Sequence, residues 1–272
     1  MKIGINRPDP LTTKVVVGTT HRSPPAHLAK RTLRLVTFNV HAESADVLVR
    51  GIQSSPILSN ADLFLLQEME SSAAEPEHRA RLVGRRLDMH FAYAPAYGLW
   101  DGGSHGVAIL SRHPLRDIDV VELPRYHVHF NSGRRIALGA TADTDRGAVR
   151  VYSVHLDNRI NTSARLRQFA PLLDRAERDG ERVIIGGDLN TSPFCWLAHL
   201  LPVVCGGQAA RVEKAVRARG YTTPAIGVGP TSKWFGMRLD ALFTRGLTPV
   251  GAAVDRSVRL SDHLPLWVDV RF

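Results

Sequence analysis

The sequence predicts a mixed α/β (α+β) fold, and three observations carry that expectation. Short apolar runs alternate with helix-period segments from Leu33 to the C-terminus. Some neighbouring runs flank turn residues, as "RIALGATAD" and "AVRVYSVHLD" do around "DTDRG", so hairpins are expected and an all-parallel sheet is not. No repeat, low-complexity block or charged linker divides the 272 residues, which are 44% hydrophobic. The economical reading is one domain over residues 32–272 behind an arm over residues 1–31. The arm carries Pro8, Pro10, Pro24 and Pro25 without a sustained period, which predicts an extended or partly disordered segment. Its stretch from Lys14 to Gly18 can add an edge strand.

Taken in order, "LRLVTFNV" alternates in part and ends polar, as a strand leading to a loop does. Val47, Leu48 and Ile52 then share one helical face. "DLFLLQE" is a short apolar run closed by Gln67 and Glu68. "EPEHRARLVGRRLDM" reads as a helix with Pro76 in its first turn. "GVAILSR" and "IDVVEL" read as strands, followed by the hairpin pair. "TSARLRQFAPLLDRAERDG" places Leu166, Phe169 and Leu173 at helical spacing and stops at Gly180. Pro171 inside it predicts a kink or an early break. "RVIIGG" is a buried strand. Residues 193–235 are less regular, with one helical piece from Ala209 to Arg217. "RLDALFTRG" and "LPLWVDVRF" close the chain as strands.

Composition narrows the function classes. The formal charge is +9, and only five of the 35 basic residues are lysine. An excess of arginine favours polyanions such as nucleic acid or anionic headgroups, although genomic base composition accounts for it equally well. No apolar run reaches the roughly 18 residues of a membrane span. "KVVVG" is too short for a signal-peptide core, so a soluble, cytoplasmic protein is expected. Cys195 and Cys205 are too few for a disulfide framework and belong to no zinc motif. Two ordinary thiols are the expectation, with a bridge between them as the alternative.

Chemistry collects where strands begin or end. The run "RVIIGGDLNTSP" breaks at two glycines and then presents Asp188 and Asn190. Asn39 follows "LVTF", Glu68 follows "LFLLQ", His155 and Asp157 close "YSVHLD", Asp240 sits in "RLDALF", and Asp262 and His263 lie in "SDHLPLW". Each position alone is explained by turn formation. Together, Asn39, Glu68, Asp188, Asn190, Asp240 and Asp262 converge on one acidic pocket if the strand ends share a rim. Four crowded carboxylates repel each other unless a hard cation joins them, and an oxygen-rich set without cysteine favours magnesium or manganese over zinc. Two histidines at the same rim supply proton-transfer groups.

The ordered series "TFN", "QE", "GVAILSR", "HLD", "GGDLN", "RLD" and "SDHLPL" resembles the endonuclease/exonuclease/phosphatase superfamily from about Leu33 to Phe272. That superfamily includes deoxyribonucleases, apurinic endonucleases, neutral sphingomyelinases, inositol polyphosphate 5-phosphatases and deadenylases. The resemblance implies a four-layer sandwich: two mixed β-sheets packed face to face, helices outside, the site at one end. It implies metal-site roles for Asn39, Glu68 and Asp262, with Mg2+ or Mn2+ as the ion. It implies that Asp188 orients or deprotonates the attacking water and that Asn190 donates to the phosphate. His263 corresponds to a histidine paired with Asp240, and His155 to a phosphate-contacting histidine and general acid. An arginine near the phosphate corresponds to Arg135, or to Arg134 one residue earlier.

The implied activity is metal-dependent phosphodiester hydrolysis, foremost as a nuclease on DNA or RNA. The histidine of "SVHLD" disfavours abasic-site endonucleases, which typically lack it. Trp234 and Phe235, before Arg238, can stack on a base, and Tyr97 and Trp100 can line the rim. The apolar "PFCWLAHLLPVV" (residues 193–204) leaves a phospholipid substrate as the alternative, beside a small phosphate ester. An inactive nucleic-acid binder is the rival from another class, and the complete motif set argues against it.

Overall fold

The structure, a computed structural model, describes residues 13–20, 32–126, 133–233 and 236–272. Its strands are β1 (Val16–Gly18), β2 (Leu33–Asn39), β3 (Leu63–Ser71), β4 (His90–Gly98), β5 (Ser104–Ser111), β6 (Leu115–Leu123) and β7 (Arg135–Thr144). They continue with β8 (Gly147–His155), β9 (Val183–Asp188), β10 (Phe194–Leu197), β11 (Leu201–Val204), β12 (Asp240–Arg245), β13 (Thr248–Val254) and β14 (Leu266–Arg271). The α-helices are α1 (Ala45–Ser54), α2 (Arg79–Leu87), α3 (Thr162–Arg178) and α4 (Gln208–Arg217).

One sheet has seven strands in the order β1-β4-β5-β3-β2-β14-β13, the other five in the order β12-β9-β8-β7-β6. Both are mixed: β2–β3 and β8–β9 pair in parallel, and their other neighbours are antiparallel. The period-two pattern of the strands explains the layering. Leu35, Leu63, Leu65 and Ile109 of the large sheet meet Leu138, Val151, Ile184 and Leu242 of the small one in a shared core. The alternate residues Val36, Phe38, Phe64 and Leu110 face the opposite way and bury Leu48 and Ile52 of α1 and Val83 of α2. On the far side, Tyr152, Val154, Ile185 and Phe243 bury Phe169 and Leu172 of α3 and Val212 and Val216 of α4. Helix, sheet, sheet and helix thus form the four layers that the motif series implies.

The two parallel pairs fix where the chemistry goes. A helix returns the chain between β2 and β3, and another between β8 and β9, so the C-terminal ends of paired strands lie side by side. Asp240 opens β12 rather than ending a strand, but β12 is antiparallel to β9 and aligns Asp240 with Asp188. The β9 glycines serve close packing. A Cβ at Gly187 would lie 1.8 Å from the Val154 carbonyl oxygen, and one at Gly186 would press on Leu242 and Leu65.

Several local expectations are revised. Pro171 does not break α3, and the helix runs from Thr162 to Arg178. Pro171 removes one ladder bond toward exposed Arg167, while Phe169, Leu172, Leu173 and Ala176 bury the other face and keep the segment helical. Pro76 precedes α2 instead of starting it, because His78 is the N-cap and accepts from the Ala80 amide. Cys195 and Cys205 are not free thiols but a disulfide, set at the base of the β10–β11 hairpin. Of the arm, residues 16–18 pair with β4 as the expected edge strand, and the four prolines lie outside the described residues. Among the described residues, no helix is long and apolar enough to cross a membrane.

Candidate active site

β2 ends in buried Asn39, whose Nδ2 donates to Glu68 Oε1 at 3.1 Å and to Asp188 Oδ2 at 3.0 Å, while its Oδ1 accepts from the His41 amide at 3.0 Å. Glu68 does not end β3. It sits where the register with β5 shifts between Leu66 and Met69, in a left-handed conformation with φ 55°. That bulge turns a residue that would otherwise join the strand ladder toward the rim. Glu68 Oε2 and Asp262 Oδ1 both approach His41 Nδ1, at 3.6 and 3.5 Å.

The small sheet supplies the facing half. His155 Nε2, at the end of β8, lies 3.5 Å from Asp188 Oδ2 and 3.9 Å from Glu68 Oε1. Asp188 Oδ1 accepts from the Asn190 amide at 2.9 Å, and the Asn190 side chain donates to the Leu156 carbonyl at 2.9 Å. Asn190 also takes positive φ, 52°. His263 Nδ1 bonds Asp240 Oδ2 at 2.8 Å, and its Nε2 lies 3.7 Å from Asp188 Oδ2. Arg135 Nε donates to Asp157 Oδ1 at 2.6 Å, and both side chains are almost wholly buried. Arg134 is turned away, to Glu122 and the Pro95 carbonyl.

These side chains enclose a cleft of about 420 Å³ lined by Glu68, Arg135, His155, Asp188, Asn190, Asp262 and His263. Asn39 and Asp240 stand behind this lining, bonded to Glu68, Asp188 and His263. All nine candidate residues therefore gather at one rim. Sequence reading passed over His41, Glu70 and Asn158, which also line the cleft. It left His105 without a role. His105 is buried, its Nδ1 is 2.9 Å from Glu70 Oε1, and it stacks on Tyr97 at 4.3 Å between ring centroids. Its neighbours on β4 and β5 are ordinary strand residues, so only spatial proximity reveals it. Trp234 and Phe235 lie outside the described residues.

The two histidines are held in opposite charge states. Burial, then the Arg135 guanidinium and the His105 and His263 imidazoles, push His155 well below its ordinary value. Burial also opposes charge on His263, but the carboxylates of Asp240 and Asp188 outweigh it and lift His263 to about 10. Asp188 is raised by burial against the pull of His263 and of hydrogen bonds from Asn190 and Asn39. At neutral pH the rim therefore presents a neutral imidazole and an imidazolium on either side of Asp188.

The pattern of the endonuclease/exonuclease/phosphatase family matches residues 36–263. The chain belongs to this family. Members of the endonuclease/exonuclease/phosphatase family hydrolyse phosphoesters with divalent metals, and the buried Asp188–Asp240–His263 cluster fits that chemistry. No curated protein matches the chain by sequence. Among solved structures, an endonuclease/exonuclease/phosphatase from Beutenbergia cavernae DSM 12333 is 21% identical with a TM-score of 0.70, over 89% of this chain and 72% of that one. D. rerio TDP2 complexed with single strand DNA product is 18% identical with a TM-score of 0.64, over 89% and 99%. The human Nocturnin catalytic domain with bound sulfate anion is 18% identical with a TM-score of 0.63, over 98% and 99%. At these identities the likeness is one of fold.

Proposed function

We propose that the chain is a divalent-metal-dependent phosphodiesterase acting on nucleic acid. The observation that carries this reading is the meeting of Glu68, Asp262, Arg135, His155, Asp188 and His263 around one cleft. Glu68 and Asp262 aim carboxylate oxygens at one spot, which they share with the largely exposed His41 imidazole. Two anions converging where only a surface imidazole intervenes fit a hard cation, Mg2+ or Mn2+. In the Asp188–Asp240–His263 cluster the His263 imidazolium already offsets part of the carboxylate charge, so Glu68 and Asp262 are the better position for the ion. Asn39 turns its NH2 toward Glu68 and Asp188, so in this arrangement it orients carboxylates; serving as a ligand would require the amide to turn over.

When bound, the ion neutralises developing charge and orients the ester. Asp188 accepts a hydrogen bond from the attacking water and aligns it for in-line approach. Arg135, held by Asp157, neutralises a phosphate oxygen. His263, kept charged by Asp240, donates to an oxygen that gains charge in the transition state. Neutral His155 is free to hold the water's proton or to contact phosphate. Asn190, bonded through its side chain to Leu156, shapes the loop that carries Asp188 and lines the phosphate side of the cleft.

Nucleic acid is favoured by the arginine excess, by the exposed aromatic surface of Trp100, and by the DNA-bound state of the TDP2 neighbour. A phospholipid is the second reading, favoured by the exposed Leu197, Leu201, Val203 and Val204 of the hairpin that follows Asn190. The Cys195–Cys205 disulfide suits an oxidising compartment and argues against the cytoplasmic expectation. One experiment tests these readings together: hydrolysis of plasmid DNA, RNA, bis-p-nitrophenyl phosphate and sphingomyelin vesicles, with magnesium or with chelator. Metal-dependent cleavage of DNA or RNA is expected, and Glu68→Ala should lower it at least about a hundredfold. Turnover in chelator, or in Glu68→Ala at the wild-type level, would remove Glu68 from a metal site. Cleavage confined to vesicles would transfer the assignment to the lipid reading.

A further inference from the structure

Two side chains of α3 are buried beneath the cleft without touching it. Arg165 is fully buried, yet its guanidinium bonds no carboxylate among the described residues. Its Nη1 donates to the carbonyls of Asp157 and Leu189, both at 2.6 Å, and its Nη2 to that of Ile160 at 2.9 Å. Nε reaches Gln208 Oε1 at 3.3 Å, and Gln208 in turn donates to the Phe194 carbonyl. Asp157 and Ile160 belong to the loop after His155, and Leu189 lies between Asp188 and Asn190. One cation thus clasps the main chains that carry both halves of the small-sheet site.

Gln168 lies one turn further along the same face. Its Nε2 donates to Asp157 Oδ2 at 2.7 Å and to the Pro124 carbonyl at 2.8 Å, and its Oε1 accepts from the Asp157 amide at 2.9 Å. The other oxygen of Asp157 holds Arg135. Gln168 therefore fixes the carboxylate that aims the arginine.

We propose that Arg165 and Gln168 are positioning residues for the phosphodiesterase site: Arg165 sets the spacing of the loops carrying His155 and Asp188, and Gln168 aims Arg135 through Asp157. The inference goes beyond the reading above but rests on it for its kinetic consequences. Burying a guanidinium against neutral carbonyls is costly, and filling a core does not require it. Burial lowers Arg165 to about 10, so it remains charged at neutral pH and keeps all its donors. Three main-chain carbonyls on two loops need a planar, multi-pronged donor, which lysine does not supply.

The test uses the full chain with Arg165→Lys and Gln168→Glu, each first shown by thermal melt to remain folded. Without metal, hydrogen exchange in Arg165→Lys should accelerate at residues 157–161 and 189–192 and stay unchanged in β2, β3 and β5. Unchanged exchange in both loops would overturn the Arg165 role whatever the protein's activity. With magnesium and bis-p-nitrophenyl phosphate, Arg165→Lys should lose about tenfold or more, mainly in kcat, because a small displacement of Asp188 costs alignment. Gln168→Glu should lose about tenfold, mainly through KM, and should add little to Arg135→Gln because both act through one contact. Additive losses in that double variant would overturn the Gln168 role. A wild-type enzyme inert toward every phosphodiester would instead sink the catalytic reading, while the exchange result still decides the Arg165 clasp.

Discussion

The end of β9 and the hairpin that follows it treat polarity in opposite ways. Asp188 is an ionisable carboxyl group that is nonetheless buried, and it accepts from Asn39 and Asn190 beside two imidazoles. A few residues later, Leu197, Leu201, Val203 and Val204 are apolar and exposed. Desolvating a carboxylate is tolerable only where partners replace water, and the rim supplies them. The hairpin gains little from the core. It is tied along β10 by Asn161, which accepts from the Trp196 amide at 2.6 Å and donates to its carbonyl at 3.1 Å, at its turn by His199 on the Arg159 carbonyl at 2.7 Å, and at its base by the disulfide. Polar and covalent anchors hold apolar residues in water on one stretch, while hydrogen bonds hold a carboxyl group in the core on the other. Burial here follows the partners available to each residue, not its hydrophobicity alone.

The largest predicted effect lies on the buried side of that contrast. His263→Ala should lower kcat/KM for bis-p-nitrophenyl phosphate by more than about a hundredfold, because it removes the imidazolium and leaves Asp240 unpaired. Leu201→Ser with Val204→Ser should stay within about threefold of wild type on the same soluble substrate. Comparable losses in the two variants would mean that the hairpin shapes the chemistry and that the contrast is false.

Legibility from sequence divides along the same line. Asn39 and Asp188 are readable because β2 and β9 are largely apolar runs that close on a polar side chain, as in "LVTFN" and "VIIGGD". The two-sheet arrangement followed from the resemblance carried by those ends. Glu68 was found although the reason for its orientation, a bulge with positive φ, leaves no mark in "LFLLQEMES". The hairpin was missed because an exposed apolar run has no alternation to distinguish it from core, and β4 because "HFAYAPAYG" is buried at every position. Arg165 and Gln168 are polar residues in a segment whose helical period is marked by Leu166, Phe169 and Leu173. Nothing in their spacing shows that they face two loops instead of water.

A smaller effect tests whether the charge at the rim belongs to the folded state. His263 rises to about 10 because Asp240 and Asp188 outweigh the burial that opposes its charge. A raised folded pKa contributes stability that is fully present below the ordinary value of 6.5 and is lost as pH climbs through about 10. In metal-free protein, the melting temperature should fall across that window. His263→Gln should flatten the decline, and the hairpin variant should keep the wild-type slope. Identical slopes for wild type and His263→Gln would show that the imidazolium is not held by folding.

The smallest effect concerns the covalent anchor. Cys195 and Cys205 are ten positions apart, so their bond closes a short loop and restrains the unfolded chain by about 2–3 kcal/mol at most. In a domain of this size that corresponds to a fall of roughly 4–10 °C, less if the hairpin opens before the rest of the fold. Cys195→Ser with Cys205→Ser should therefore melt a few degrees lower, become open to proteolytic nicking within residues 197–205, and keep kcat/KM on the soluble substrate within about threefold. The Asn161 and Gln208 contacts remain to hold Phe194 and Trp196 beside the Arg165 clasp, which is why the rim should not feel the loss. A drop in turnover approaching that of His263→Ala, with the fold intact, would mean that the disulfide, and not the polar anchors, transmits order from the hairpin to Asp188.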